Sequence, residues 1–121
     1  MKRFFLIILS LMTLLPVDGF TDDVKEEIGV ELVSWEIQGD YFMPPMIADL
    51  KIINRSEHDV KDVRIRCLGY GKSKTLLSIN EVVIYDVFPK NTTKTVGKFD
   101  MGSIDSQVAT EECECVGYSG D

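Results

Sequence analysis

The sequence predicts an all-β protein, an immunoglobulin-like antiparallel β-sandwich of six to seven strands, preceded by a signal-peptide helix. Three observations predict it. Short apolar runs alternate with polar residues at a period of two and are rich in β-branched side chains. Turn residues recur between these runs at regular spacing. No stretch beyond the N-terminus carries the stripe of an amphipathic helix, and about 90 residues of short strands suit a small sandwich.

The first element is the N-terminal run. Lys2 and Arg3 precede a mostly apolar stretch from Phe4 to Leu15, then Pro16 breaks it and Gly19 supplies a small residue. That order is the one found in secretory signal peptides. The apolar stretch has 12 residues, whereas a spanning helix needs about 20. Residues 1–19 are therefore expected to be a signal peptide, 20–29 a polar tether and 30–118 the sandwich. Export places the chain in the periplasm or outside the cell, with no stable membrane insertion after cleavage. It also supplies the oxidising compartment that a disulfide requires.

The strands follow in order. Val30–Ile37 offers Val33, Trp35 and Ile37 to one face. Met46–Ile53 sets Ala48, Leu50 and Ile52 against Asp49 and Lys51. Val60–Tyr70 sets Val63, Ile65 and Cys67 against Arg64 and Arg66. Thr75–Phe88 is long enough for one bent strand or two short ones. In Thr93–Met101, Val96 and Phe99 fall on opposite faces of an ideal strand. A bulge at Gly97 would bring both inward. Ala109–Tyr118 is the last strand. The expected core is Val33, Trp35, Leu50, Ile52, Val63, Ile65 and Cys67.

Composition narrows the function. Net charge is −7. Removing Lys2, Arg3 and Asp18 from 13 basic and 20 acidic residues leaves 11 and 19, a net −8. Nucleic acid and anionic membrane surfaces are poor partners for such a chain. The one histidine, His58, lies in a polar turn, so a Ser-His-Asp device lacks its central part. Glu111, Glu112 and Glu114 are close in sequence, but alternation sets Glu112 and Glu114 on one face and Glu111 with the cysteines. All three are expected to form an exposed, charged strand edge that blocks edge-to-edge pairing. Asn54-Arg55-Ser56 and Asn91-Thr92-Thr93 fit the glycosylation pattern but are explained as turns. No enzymatic activity and no cofactor are expected.

Two interaction readings remain. Tyr41, Phe42, Tyr70 and Tyr118 are candidates for an exposed aromatic, protein-binding face. Met43-Pro44-Pro45-Met46 with a free cysteine would suit Cu(I), because thioethers and thiolates are soft ligands.

The chain has three cysteines. Three cysteines and a distant histidine barely reach the four ligands of a zinc site. Cys113 and Cys115 sit two residues apart on one strand face, roughly 6.5–7 Å between Cα atoms. That is at the far limit for a bond between them. Cys67 is thus expected to pair with Cys113 or Cys115. The remaining thiol is a candidate for covalent dimerisation.

Asn54-Arg55-Ser56, followed by Val60-Lys61-Asp62-Val63-Arg64-Ile65 and the aromatic Tyr70, resembles the FxLYD group of bacterial exported domains. A second similarity covers about Val30 to Val116. It runs through Trp35, Ala48-Asp49-Leu50-Lys51-Ile52-Ile53-Asn54-Arg55-Ser56, Phe88-Pro89-Lys90 and Phe99-Asp100-Met101-Gly102-Ser103-Ile104-Asp105-Ser106-Gln107. This pattern resembles small uncharacterised periplasmic immunoglobulin-like proteins of proteobacteria. The resemblance implies the fold and the compartment, and no catalytic residues. Its register implies Cys67–Cys113 as the disulfide, with Cys115 free. Together these readings give an exported, non-enzymatic sandwich that binds or supports an unidentified envelope protein.

Overall fold

The structure, a computed structural model, describes residues 27–39 and 42–120. The expected signal peptide, most of the tether and Tyr41 lie outside the described residues. Six strands form: β1 (Ile28–Ile37), β2 (Pro45–Asn54), β3 (Val60–Tyr70), β4 (Leu76–Phe88), β5 (Thr92–Ser103) and β6 (Thr110–Gly120). They make two three-stranded antiparallel sheets, ordered β1-β2-β5 and β4-β3-β6, packed face to face. Strand two beside five and three beside six is the Greek-key pairing of immunoglobulin domains. Strand four lies beside three, and among the described residues no seventh strand covers β6. The long Thr75–Phe88 run is a single strand. Among the described residues no helix is long and apolar enough to cross a membrane.

The core follows from alternation on the two central strands. Met46, Ala48, Leu50 and Ile52 of β2 face Val63, Ile65 and Cys67 of β3, all fully buried. β1 begins two residues earlier than expected. Ile28, placed in the tether by sequence, is buried in the core. Val33 is the other correction. The β1–β2 register slips between Leu32 and Ser34, so Val33 is the extra residue of a bulge and 52% exposed. The bulge lets Val30 and Leu32 before it and Trp35 and Ile37 after it pack on the same core.

The expected bulge at Gly97 is present. Ala48 faces Phe99 and Leu50 faces Val96, so Gly97 and Lys98 together oppose Asp49. Val96 and Phe99 both pack on the core. Lys98 takes φ +54°, a left-handed conformation that its neighbours must stabilise. Asp49 supplies that support. Its Oδ1 accepts the Lys98 backbone N–H at 2.8 Å, and its Oδ2 accepts the Ser34 hydroxyl at 3.0 Å. One carboxylate on the middle strand thus steadies a bulge on each neighbour. These bonds, the Lys98 N–H first, hold the Asp49 carboxyl below the usual carboxylate range.

Two buried asparagines join the sheets. Asn54 Nδ2 donates to the carbonyls of His58 and Phe88, both at 2.9 Å, and its Oδ1 accepts from the Ser56 N–H and hydroxyl. At the opposite end Asn80 Nδ2 donates to the carbonyls of Met101 and Ser103. Gly102 between them has φ +95°, and a Cβ there would lie 3.3 Å from Asn80 Nδ2. The chain therefore needs glycine to wrap the amide. Asn54 is spent in this network, which accounts for the glycosylation-like pattern without any modification.

Replacing Asn54 with alanine removes its amide bond to the Phe88 carbonyl, leaves the His58 carbonyl with the Ser56 hydroxyl alone, and strips the Ser56 N–H of its acceptor. The variant should lose about 2–4 kcal/mol, while Glu57→Ala in the same turn should change stability by less than about 0.5 kcal/mol. Urea unfolding checks this; equal midpoints for the two variants would refute the role given to Asn54.

Candidate functional site

The candidate site lies on the inner face of sheet β4-β3-β6, where the last strand meets β3. Alternation on β6 points Glu111, Cys113 and Cys115 inward, opposite Gly69, Cys67 and Ile65 of β3. Cys67 and Cys113 face each other directly and form a disulfide, with Cα atoms 4.1 Å apart and a sequence separation of 46. Closing a loop of that length restricts the unfolded chain by about 4 kcal/mol. Cys67 is fully buried and Cys113 half-buried.

Glu111 completes the cluster. One of its carboxylate oxygens lies within 4.8 Å of both sulfurs. The group fits because its partner across the ladder is glycine: a Cβ on Gly69 would stand 2.5 Å from Glu111 Oε2. Both carboxylate oxygens are buried with no hydrogen-bond partner among the described residues. Burial alone pushes the Glu111 pKa up to about 7. Asn80, opposite Cys67 on the other side of β3, also has a buried amide oxygen without a partner.

Cys115 is the free thiol, as the resemblance implies, but it is 2% exposed. Its sulfur donates to the Gly117 carbonyl at 3.4 Å, and burial pushes the thiol pKa up. A disulfide to a second chain through Cys115 would require the inner face to open.

The other sequence candidates do not gather into one site. Phe42 is 95% exposed in the β1–β2 connection, and Tyr70 is half-buried at the end of β3. Tyr118 lies near the opposite end of the sandwich. There its hydroxyl bonds Glu27, which with burial pushes its pKa to about 12. Met43 is exposed just before β2, Met46 is buried on β2, and Cys115 sits on β6 in the other sheet. His58 contributes its backbone to the Asn54 turn. The sequence places Glu111 on the cysteine face but reads it as part of an exposed charged edge; the residue is half-buried with both carboxylate oxygens buried, and the signal is Gly69, legible only once the register is known.

A second feature was not anticipated. The exposed large apolar side chains concentrate on β4, where Leu76, Leu77, Ile79, Tyr85 and Val87 all reach solvent. Among the described residues β4 pairs only with β3, and none of them pairs with its other edge. The disulfide fixes which backbone groups face that edge. A Cα separation of 4.1 Å marks Cys67–Cys113 as a narrow pair, whose backbone groups point away from one another. Cys67 therefore bonds Asn80 on β4, and the N–H and C=O groups of Ile79, Glu81 and Val83 face outward. Glu81 is itself paired with Arg64 and Arg66 on β3.

Compared with protein-family models, curated proteins and solved structures, the chain has no significant match.

The raised Glu111 pKa has a consequence for stability. The folded state binds a proton that the unfolded state releases between about pH 4.5 and 7. Stability is therefore greatest below that window and falls as pH rises through it. Allowing for partial solvent screening, the loss should be about 1–2 kcal/mol. Glu111→Gln should abolish it, making the variant the more stable protein at pH 8 and equal to wild type near pH 4.5. Urea midpoints across this range measure it; a wild-type midpoint that rises from pH 5 to 8 would refute the burial of the acid.

Proposed function

We propose that this chain is an exported, non-enzymatic β-sandwich that serves as a protein-interaction or structural accessory module of the bacterial envelope. The supporting observation is the open edge of β4. It is 13 residues long, lies beside exposed apolar side chains, and presents unpaired backbone groups in a regular row. Natural edge strands of this length are usually blunted by charge, proline or a covering segment. β4 has no proline, and its one outward acid before the bend, Glu81, is neutralised by two arginines.

An extended segment of another envelope protein suits such an edge. Its backbone would extend the ladder at Ile79, Glu81 and Val83, and its alternate side chains would pack on Ile79 and Val83. The signal-peptide pattern and the acidic balance agree with this reading. The exported location brings the domain to other envelope proteins, and the net charge of −7 disfavours polyanions.

A photo-crosslinking residue at Ile79 in the exported protein tests the proposal, with the same residue at Lys51 on the other sheet as control. The expected result is a discrete protein adduct from position 79 that disappears when Tyr85 is changed to lysine. No adduct, or equal adducts from both positions, would remove β4 as the docking edge.

A further inference from the structure

We propose that Cys67–Cys113 is an exchange-active disulfide that accepts a partner thiol at Cys113, with Glu111 as the acid that protonates the departing Cys67 sulfur. This goes beyond the β4 reading and rests on different residues. Four observations carry it. The Glu111 carboxyl lies within 4.8 Å of both sulfurs. Both of its oxygens are buried without a partner, an arrangement that costs stability and contributes nothing to a passive staple. Gly69 leaves the space in which the carboxyl sits. A groove of about 380 Å³, lined by Ile28, Val30, Arg55, Cys113, Glu114 and Cys115, runs along the half-buried Cys113.

The groove also fixes which sulfur is attacked. Cys113 lines it, whereas Cys67 is fully buried beneath the sheets. Among the described residues β6 pairs only with β3, and the narrow Cys67–Cys113 pair turns the backbone of Glu111, Cys113 and Cys115 away from β3. A thiol-bearing segment in extended conformation could therefore align beside Cys113 through the same kind of ladder.

The chemistry balances with a dithiol, or two thiols, as reductant. The incoming thiolate attacks Cys113 Sγ in line with the S–S bond. A new S–S bond forms to Cys113, and the old one breaks with its electron pair on Cys67 Sγ. The neutral Glu111 carboxyl gives its proton to that sulfur, leaving a Cys67 thiol and a carboxylate that regains a proton from solvent. A second thiolate of the reductant then attacks the mixed disulfide at the reductant's sulfur and releases Cys113. Two electrons pass to the protein, and the reductant leaves as its own disulfide.

The leaving sulfur is the site at which an acid matters. A thiolate expelled into an apolar interior is destabilised by desolvation, and transfer of a proton as the bond breaks removes that cost. The groups facing Glu111 are Gly69 and Cys67 from β3, Cys113 on its own strand and Val108 from the β5–β6 connection. None of these carries a charge, so the acid titrates with burial as its cause.

The test uses the full oxidised protein and glutathione as probe, across pH 5.5–8.5, with acid quenching and mass spectrometry. The expected adduct maps to Cys113. The wild-type rate constant, expressed per glutathione thiolate, should fall as pH rises through about 7. Glu111→Gln should be at least about tenfold slower at pH 6 and lack this pH dependence. Gly69→Ala, which displaces the carboxyl, should reproduce the loss. An adduct on Cys67, a flat wild-type profile, wild-type rates in both variants, or reduction only in denaturant would each overturn the proposal. The β4 crosslink reads a different edge, so either result stands without the other.

Discussion

Everything in this fold depends on two side-chain amides that tie one three-stranded sheet to the other. Neither sheet could be stable alone, and apolar contact between them is non-directional. It brings the sheets together without fixing their alignment. Asn54 leaves β2 and bonds the Phe88 carbonyl on β4; Asn80 leaves β4 and bonds two carbonyls at the end of β5. The two ties run in opposite directions at opposite ends. With both made, each strand of the inner layer has one permitted partner, and the core residues meet in one register.

Much of this was legible in the sequence. Alternation gave the strands to within two residues at each end, with Thr75–Phe88 left as one strand or two, because one face of each central strand is fully buried and tolerates no slip. The Gly97 bulge was legible because two large apolar residues sat on the wrong parity beside a glycine. The Val33 bulge was not: valine is itself a strand former, and only the pairing with β2 shows it as the residue left over. Asn80 was missed for a similar reason. A polar residue between apolar ones reads as an outward position, and only the bulged turn at Gly102 gives its amide a buried partner. The motif positions Asp49, Asn54, Ser56 and Gly102 hold bulges and sheet ties. They are structural positions.

The cysteine cluster shows where reading a single strand stops. Spacing and alternation placed Glu111, Cys113 and Cys115 on one face. They could not show that the face is internal at Glu111, since a lone acid on a charged strand reads as solvated. Burial there is a property of a pair. Any residue with a Cβ at position 69 would push the carboxyl away, so the raised pKa of Glu111 is specified by a glycine 42 positions earlier.

The two open edges of sheet β4-β3-β6 therefore differ in kind. β4 presents apolar side chains and a row of backbone groups on its outer face, which suits a strand that binds by burial. β6 turns its reactive side chains inward, and of the two disulfide cysteines only Cys113 lines the groove. A seventh strand beside β6, as in larger immunoglobulin domains, would pair with the backbone of Cys113 and close that approach. Among the described residues no such strand is present, and Cys113 is left half-buried. The sandwich is complete enough to bury Cys67 and the Glu111 carboxylate oxygens, and open enough on one side for a thiol to approach the Cys67–Cys113 bond.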